Sequence, residues 1–392
     1  MALTDAGHIR RIVTGDNTDG LSVTVWDGHA PNVHMGSNGP NRNHADLWAW
    51  EEQRAPLDLD RDDGDMKYDF PGPLVGGHVR IIEMVAKPDD YDPTTDARAV
   101  APHEPKPREF GRAWDRGGRN LFTSQMHMTE TVDYGILLSG QRSMRLDDCD
   151  VVMRRGDIVI QLGAWHQWSS PIEGCLMAFD MVSAKIEGPP EFPLVSSPPV
   201  AEGVDSIELA RRTGSVRRLV VANTPDGLSR LVSDGPSGDV MSDPARPGYR
   251  CALIWATSAS PASVSTLAVA RPSFVVPPVG GSVCRIETLP PDSDWLGDVT
   301  DTDVDDFFRN LDPGGLVGRP AVRPHPYVQK TDTLEVCFVL DGEPTLVLET
   351  GETALAPGDV VVVRGNARAF SNRTDSPSII AIVAHDGQRR EG

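Results

Sequence analysis

His127-Met128-Thr129-Glu130-Thr131-Val132-Asp133-Tyr134, followed by Gly140, Gly156-Asp157, Gly163 and His166, is written a second time 202 residues further on. Thr131 returns as Thr333, Gly140 as Gly342, Gly156-Asp157 as Gly358-Asp359 and Gly163 as Gly365. The residues able to hold a metal do not return. His127 becomes Gln329, Asp133 becomes Glu335 and His166 becomes Arg368. Nearer the N-terminus the offset is 207. Arg11-Ile12-Val13, Asp19-Gly20-Leu21-Ser22 and Asp27-Gly28 match Arg218-Leu219-Val220, Asp226-Gly227-Leu228-Ser229 and Asp234-Gly235. Agreement of order over almost the whole length indicates an internal duplication with one chemically equipped half and one silent half.

The repeated segments read as strands. Val132 to Leu138, Ser143 to Leu146, Asp157 to Leu162 and Leu176 to Val182 are short runs rich in Val, Ile and Leu, and so are Leu334 to Leu340, Thr345 to Leu348, Val360 to Val363 and Ile379 to Ala384. Ser-Gly, Asp-Gly, Arg-Gly and Pro-Gly turns separate them. Many short strands with Gly/Pro turns and few helical periods predict an all-β sandwich or barrel in each half. The 392 residues divide into domains 1–185 and 206–392, joined by a proline-rich linker over 186–205. Ser206 to Arg212 is expected to open the second domain as a short helix, capped by Asp205 or Ser206. Asp46 to Glu52 has the look of a helical turn. Lys87 to Arg119 is a long Pro/Asp-rich loop of the kind that is either functional or disordered.

A formal net charge of -20 argues against nucleic acid or an anionic membrane as partner, because both demand a basic face. No apolar run approaches the ~20 residues of a membrane span, and the first residues lack a signal-peptide pattern. Cys149, Cys175, Cys251, Cys284 and Cys337 are odd in number, widely spaced and without a Cys-x-x-Cys pair, as in reduced cytoplasmic proteins.

Side chains two apart on a strand share a face. Gln125, His127, Thr129, Thr131 and Asp133 are all odd-numbered, so one face is expected to carry His127, Thr129 and Asp133. His166 comes back from a later strand. Two imidazoles and a carboxylate form an open metal site that suits iron, zinc, nickel, copper or manganese, with room for water and substrate. Gln161 is expected near its mouth. Glu335 and Arg368, at the matching positions of the second half, are expected to pair in a fork.

The layout resembles the cupin superfamily, and the duplication makes it similar to a bicupin. His127 stands at the first His of the first cupin motif, Thr129 at the second His, Asp133 at the Glu, and Gly140 closes the motif at the right spacing. Gly163 and His166 match the second motif, with Ser170 in place of its Asn. The resemblance runs from about Arg11 to Ala184 and from about Arg218 to His385. It implies two cupin-type jelly-roll β-barrels in tandem with a few short helices, and a second domain that is degenerate and structural. It implies a divalent metal, iron first, held by His127, Asp133 and His166, with Thr129, Gln125 and Gln161 as catalytic neighbours. The expected activity is non-haem oxygenation of a small organic substrate. Non-redox lyase, decarboxylase or isomerase chemistry in the same barrel, or ligand binding without turnover, are the alternatives. The two halves are expected to pack on each other in a monomer, or within a homodimer.

Overall fold

Aliphatic and β-branched strands with a buried side on each face must be covered twice, and the chain does this with two large sheets laid back to back. The computed structural model describes residues 6–36, 42–58, 61–65, 72–108, 112–170, 173–186, 204–264 and 273–389. The N-terminal sheet runs, strand beside strand, Asn32–His34, Arg42–Trp50, Gly77–Met84, Cys175–Lys185, Thr131–Arg145 and Ile158–Leu162. The C-terminal sheet runs Val240–Ser242, Arg250–Thr257, Ser282–Leu289, Ser378–Gln388, Thr333–Asp341 and Val360–Arg364. The orders correspond strand for strand, and so do the irregularities. A register shift between Leu137 and Ser139 has its counterpart between Val339 and Asp341, 202 residues on. Another between Asp46 and Trp48 has its counterpart between Leu253 and Trp255, 207 residues on. The architecture is all-β and jelly-roll-like, as the sequence predicts.

The sheets also exchange edges. The hairpin of Arg10–Asp16 and Ser22–His29 joins the C-terminal sheet, with Arg11–Thr14 lying parallel to Val360–Val363. The hairpin of Arg217–Asn223 and Ser229–Pro236 joins the N-terminal sheet, with Arg218–Ala222 parallel to Ile158–Leu162. The ladders therefore cross the 186–205 boundary, most of which (187–203) lies outside the described residues.

One core lies between the sheets. Val132, Tyr134 and Ile136 from one side pack with Leu334, Val336 and Phe338 from the other. Tyr134 points into this seam, away from Asp133, and its hydroxyl meets the Ser282 hydroxyl at 2.7 Å. Two further cores lie on the outer faces. Met144, Met153, Trp168, Met177, Phe179 and Met181 share the N-terminal one. Phe307, Tyr327, Leu346, Phe370 and Ile380 belong to the C-terminal one.

The expected helix forms over Ser206–Thr213, and the Asp205 carboxylate accepts from the backbone N–H of Ile207 at 2.8 Å and Glu208 at 3.1 Å. A second helix, Asp301–Leu311, which is not among the expected elements, carries a Thr300/Asp303 capping box. The expected helical turn over Asp46 to Glu52 is not found. Arg42–Trp50 is a strand in register with Gly77–Met84. Both its faces are buried, so the alternation that identifies a half-exposed strand is absent. The long stretch from Lys87 to Arg119 returns to the barrel as the short strand Ala113–Asp115, which pairs with His127–Thr129. All five cysteines are free thiols. Among the described residues no helix is long and apolar enough to cross a membrane.

Candidate metal centre

The expected site comes together only in part. His127 and His166 face each other across an isolated antiparallel bridge, each backbone N–H donating to the other's carbonyl at 2.9 Å, with ring centroids 4.3 Å apart. His127 Nδ1 lies 2.8 Å from the Gln125 carbonyl, and His166 Nδ1 lies 2.8 Å from that of Ala164. A carbonyl can only accept, so Nδ1 carries a proton in both rings. Burial, and then the neighbouring His127, hold His166 well below the ordinary histidine range, so it is neutral. Thr129 is buried and its hydroxyl bonds that of Thr131 at 2.7 Å. Gln125 supports the site through its carbonyl.

Asp133 does not join the two imidazoles. The donor atoms of His127, Asp133 and His166 do not gather within 4.8 Å of one another. The reason is a break at Glu130. His127–Thr129 leaves the main sheet to pair with Ala113–Asp115, whereas Thr131–Arg145 stays in it, so odd positions before and after the break belong to different ladders. Asp133 instead sits directly opposite Gln161 on one side and Met181 on the other. Its Oδ1 and both polar atoms of the Gln161 side chain are buried and make no hydrogen bond. Burial pushes the Asp133 carboxyl up to about 7; a bond from Thr131 opposes this, and Asp180 adds to it.

A different group meets the requirement. Among the described residues, His34, His44 and Asp46 bring three ligand atoms within 4.8 Å. His34 Nε2 is 3.3 Å and His44 Nε2 3.9 Å from Asp46 Oδ2, and the two rings stack with centroids 4.6 Å apart. The register makes this possible: His34 is directly opposite His44, and Asp46 is directly opposite Arg80 on the next strand. Ligands at ~2.1 Å from a common ion stand about 3–3.5 Å apart, close to these separations. Asp46 is 3% exposed, yet its Oδ2 and His34 Nε2 make no hydrogen bond. The other carboxylate oxygen is anchored, accepting from Arg80 Nε at 2.6 Å with His78 Nε2 at 3.3 Å. Such outer partners orient a ligating carboxylate.

Protonation favours the same role. Burial alone would raise the Asp46 carboxyl, but the His78 hydrogen bond and the Arg80 charge hold it well below the usual carboxylate range. Burial, and then Arg80, push both His44 and His78 down to about 4. Near neutrality His44 is therefore neutral and Asp46 ionised, the forms that bind a metal. The His34 side chain is 29% exposed, so the group opens toward solvent on that side. Asp46 and Arg80 share a sheet face with Phe179, which lies opposite Arg80, so the group borders the methionine-rich core.

The signal that would have found this group is the 207 offset. His34, His44 and Asp46 return as Met241, Cys251 and Leu253, and Met241 stands opposite Cys251 as His34 stands opposite His44. The C-terminal barrel is closed by charge instead. Arg368 donates through Nε and Nη2 to the two Glu335 oxygens at 2.9 Å each, as the sequence predicts. Arg285 donates to Glu335 at 2.8 Å and to Glu287 at 2.9 Å.

No family model matches the chain. The phomopsin biosynthesis cluster proteins C' and D of Diaporthe leptostromiformis are each 40% identical to it over 53 residues, 13% of this chain and 26% of the relative. The chain thus spans about a quarter of the length of the curated relatives it matches. Among solved structures it is similar to a cupin 2 conserved barrel domain protein from Leptotrichia buccalis, with 10% identity, coverage of 79% and 83% of the two chains and a TM-score of 0.32. It is similar to a salicylate 1,2-dioxygenase variant from Pseudoaminobacter salicylatoxidans, with 12% identity, coverage of 79% and 71% and a TM-score of 0.34. It is also similar to Streptomyces albus HEPD with 2-hydroxyethylphosphonate and Fe(II) bound, with 12% identity, coverage of 92% and 74% and a TM-score of 0.39.

Proposed function

We propose that this chain is a duplicated, cupin-like enzyme whose N-terminal half binds a divalent metal and oxidises a small organic molecule, while its C-terminal half is structural. The observation that supports it is the His34/His44/Asp46 group. Two imidazoles and one carboxylate with an open side form the donor set of non-haem Fe(II) oxygenases, and zinc, manganese or nickel are the other ions such donors accept. Bound iron would supply redox chemistry with dioxygen and polarise a substrate oxygen.

The chain's own residues do the rest. Arg80 and His78 hold Asp46 Oδ1 and leave Oδ2 for the ion. Met177, Phe179, Met181 and Trp168 give the substrate an apolar wall and exclude water. His166 presents a neutral Nε2 atom that accepts a hydrogen bond from a substrate hydroxyl or amine, with His127 beside it. In the C-terminal half Met241, Cys251 and Leu253 lack the carboxylate, and the Glu335–Arg368 pair occupies the positions that match Asp133 and His166.

Metal analysis of the protein purified without chelator tests the reading, together with His34→Ala. One equivalent of iron, lost in the variant, with oxygen uptake that depends on it, is the expected result. Turnover that persists with zinc under strict anaerobiosis would make the enzyme a lyase or isomerase. Substoichiometric metal, indifferent to the substitution, would leave a binding barrel without turnover.

A further inference from the structure

The two barrels place the same five positions in the same way, keep two threonines among them and fill the other three differently. Gln329 and Arg368 face each other across an isolated bridge, as His127 and His166 do. The Thr331 and Thr333 hydroxyls bond at 2.6 Å, as those of Thr129 and Thr131 do at 2.7 Å. Glu335 stands where Asp133 stands, 202 residues earlier. In the C-terminal barrel this frame holds a guanidinium. Arg368 spans both Glu335 oxygens, and the Gln329 carboxamide oxygen, correctly oriented, accepts from its Nη1 at 3.1 Å and Nη2 at 3.0 Å.

In the N-terminal barrel the carboxylate remains, and among the described residues no cation pairs with it. His166 replaces Arg368. The counterpart of Arg285 is Arg80: Arg80 lies opposite Phe179 and then Gly135, and Arg285 lies opposite Ile382 and then Cys337, 202 residues from Gly135. Arg80 is committed to Asp46 at 2.6 Å. Arg142 lies over Trp168 and Phe179, at 4.5 and 5.2 Å. Asp133, 4% exposed, and Gln161, 1% exposed, are left opposite each other with three polar atoms that make no hydrogen bond. A buried carboxylate in that state calls for a cationic donor, and a buried carboxamide for a group it can bond.

We propose that the N-terminal barrel binds the cationic head of a small molecule, a guanidinium or primary ammonium group, at Asp133 and Gln161, in the place that Arg368 fills in the other barrel. Met181, directly opposite Asp133, and Phe179 then cover the apolar body of the ligand. Asp46 and Asp133 stand about three strand spacings apart, roughly 14 Å along the curved sheet, so an amine- or guanidine-bearing molecule can lie between them. The subsite gives a substrate class to the proposed enzyme and rests on that reading only for turnover; binding of the cation does not require the metal.

Calorimetric titration with benzylguanidine, and with benzylurea as its neutral counterpart, tests the assignment on the full chain. Wild type is expected to bind benzylguanidine and not benzylurea. Affinity should fall at least tenfold in the near-isosteric Asp133→Asn and in Gln161→Leu, each checked for folding by circular dichroism. His34→Ala should lose the metal and keep the binding, which separates failure of this subsite from failure of the metal reading. A crystal structure with the ligand should place its guanidinium between Asp133 and Gln161. Equal binding by Asp133→Asn, no binding by wild type, or water alone between the two side chains would overturn the proposal. Loss of metal from Asp133→Asn, with binding unchanged, would overturn it in favour of metal ligation by that carboxylate.

Discussion

A single carboxylate, Asp46, connects three imidazoles and a guanidinium, and its removal has two separable effects. Asp46→Asn should abolish metal binding. It should also leave Arg80 buried without its charge partner, at a cost of about 3–5 kcal/mol, read as a lower urea midpoint even in metal-free protein. His34→Ala, at the partly exposed edge, should remove the metal with little change in that midpoint. Asp133 makes a prediction of opposite character. Its folded-state value of about 7 lies above the ordinary 3.8, so between those values the folded protein holds a proton that the unfolded chain has released. Stability from this group is therefore greatest below pH ~4 and falls as pH rises through 7, by up to about 4 kcal/mol. Asp133→Asn should flatten that part of the profile, measured by urea denaturation at pH 5 and pH 8. The sequence pointed to His127 and His166 because their motif spacing is distinctive. It did not point to His34, His44 and Asp46, because their nearness depends on a register between strands and on a bulge beside Asp46, and neither leaves a local pattern.

At the scale of elements, the strands of both halves were legible because their turns carry glycines at repeating distances. Gly140 shows why those glycines are needed. It has φ +70°, and a Cβ there would stand 1.8 Å from the Gly174 carbonyl oxygen. Gly342 repeats the arrangement at φ +79° against Ser378. Gly140→Ala should destabilise the protein by about 1–3 kcal/mol or more, measured as a shifted denaturation midpoint with an unchanged slope. What composition hid was the strand Arg42–Trp50. Its Trp48 lies in the seam between the sheets while Asp46 faces the outer core, so apolar and polar residues are buried alike. The start of the helix Asp301–Leu311 is marked in the sequence only by Thr300 and Asp303.

Across the whole molecule, the repeat announced two similar halves but not that they trade edges. Each half alone would lack the parallel hairpin that closes its sheet. A fragment ending at residue 186 exposes the edge of Ile158–Leu162 and should aggregate. Supplying residues 204–392 should recover a soluble 1:1 complex, seen by size-exclusion chromatography. The intact chain should melt in one calorimetric transition, because the largest core belongs to both halves, and because Asp180 on one sheet lies 2.9 Å from His385 on the other. The exchanged edge also sets a schedule for synthesis. Arg11–Thr14 leaves the ribosome roughly 350 residues before its ladder partner, Val360–Val363. At about 5–20 residues per second the first hairpin waits some 20–70 s with an unpaired apolar edge. The later strand, and not the hairpin that waits for it, determines when this edge is closed.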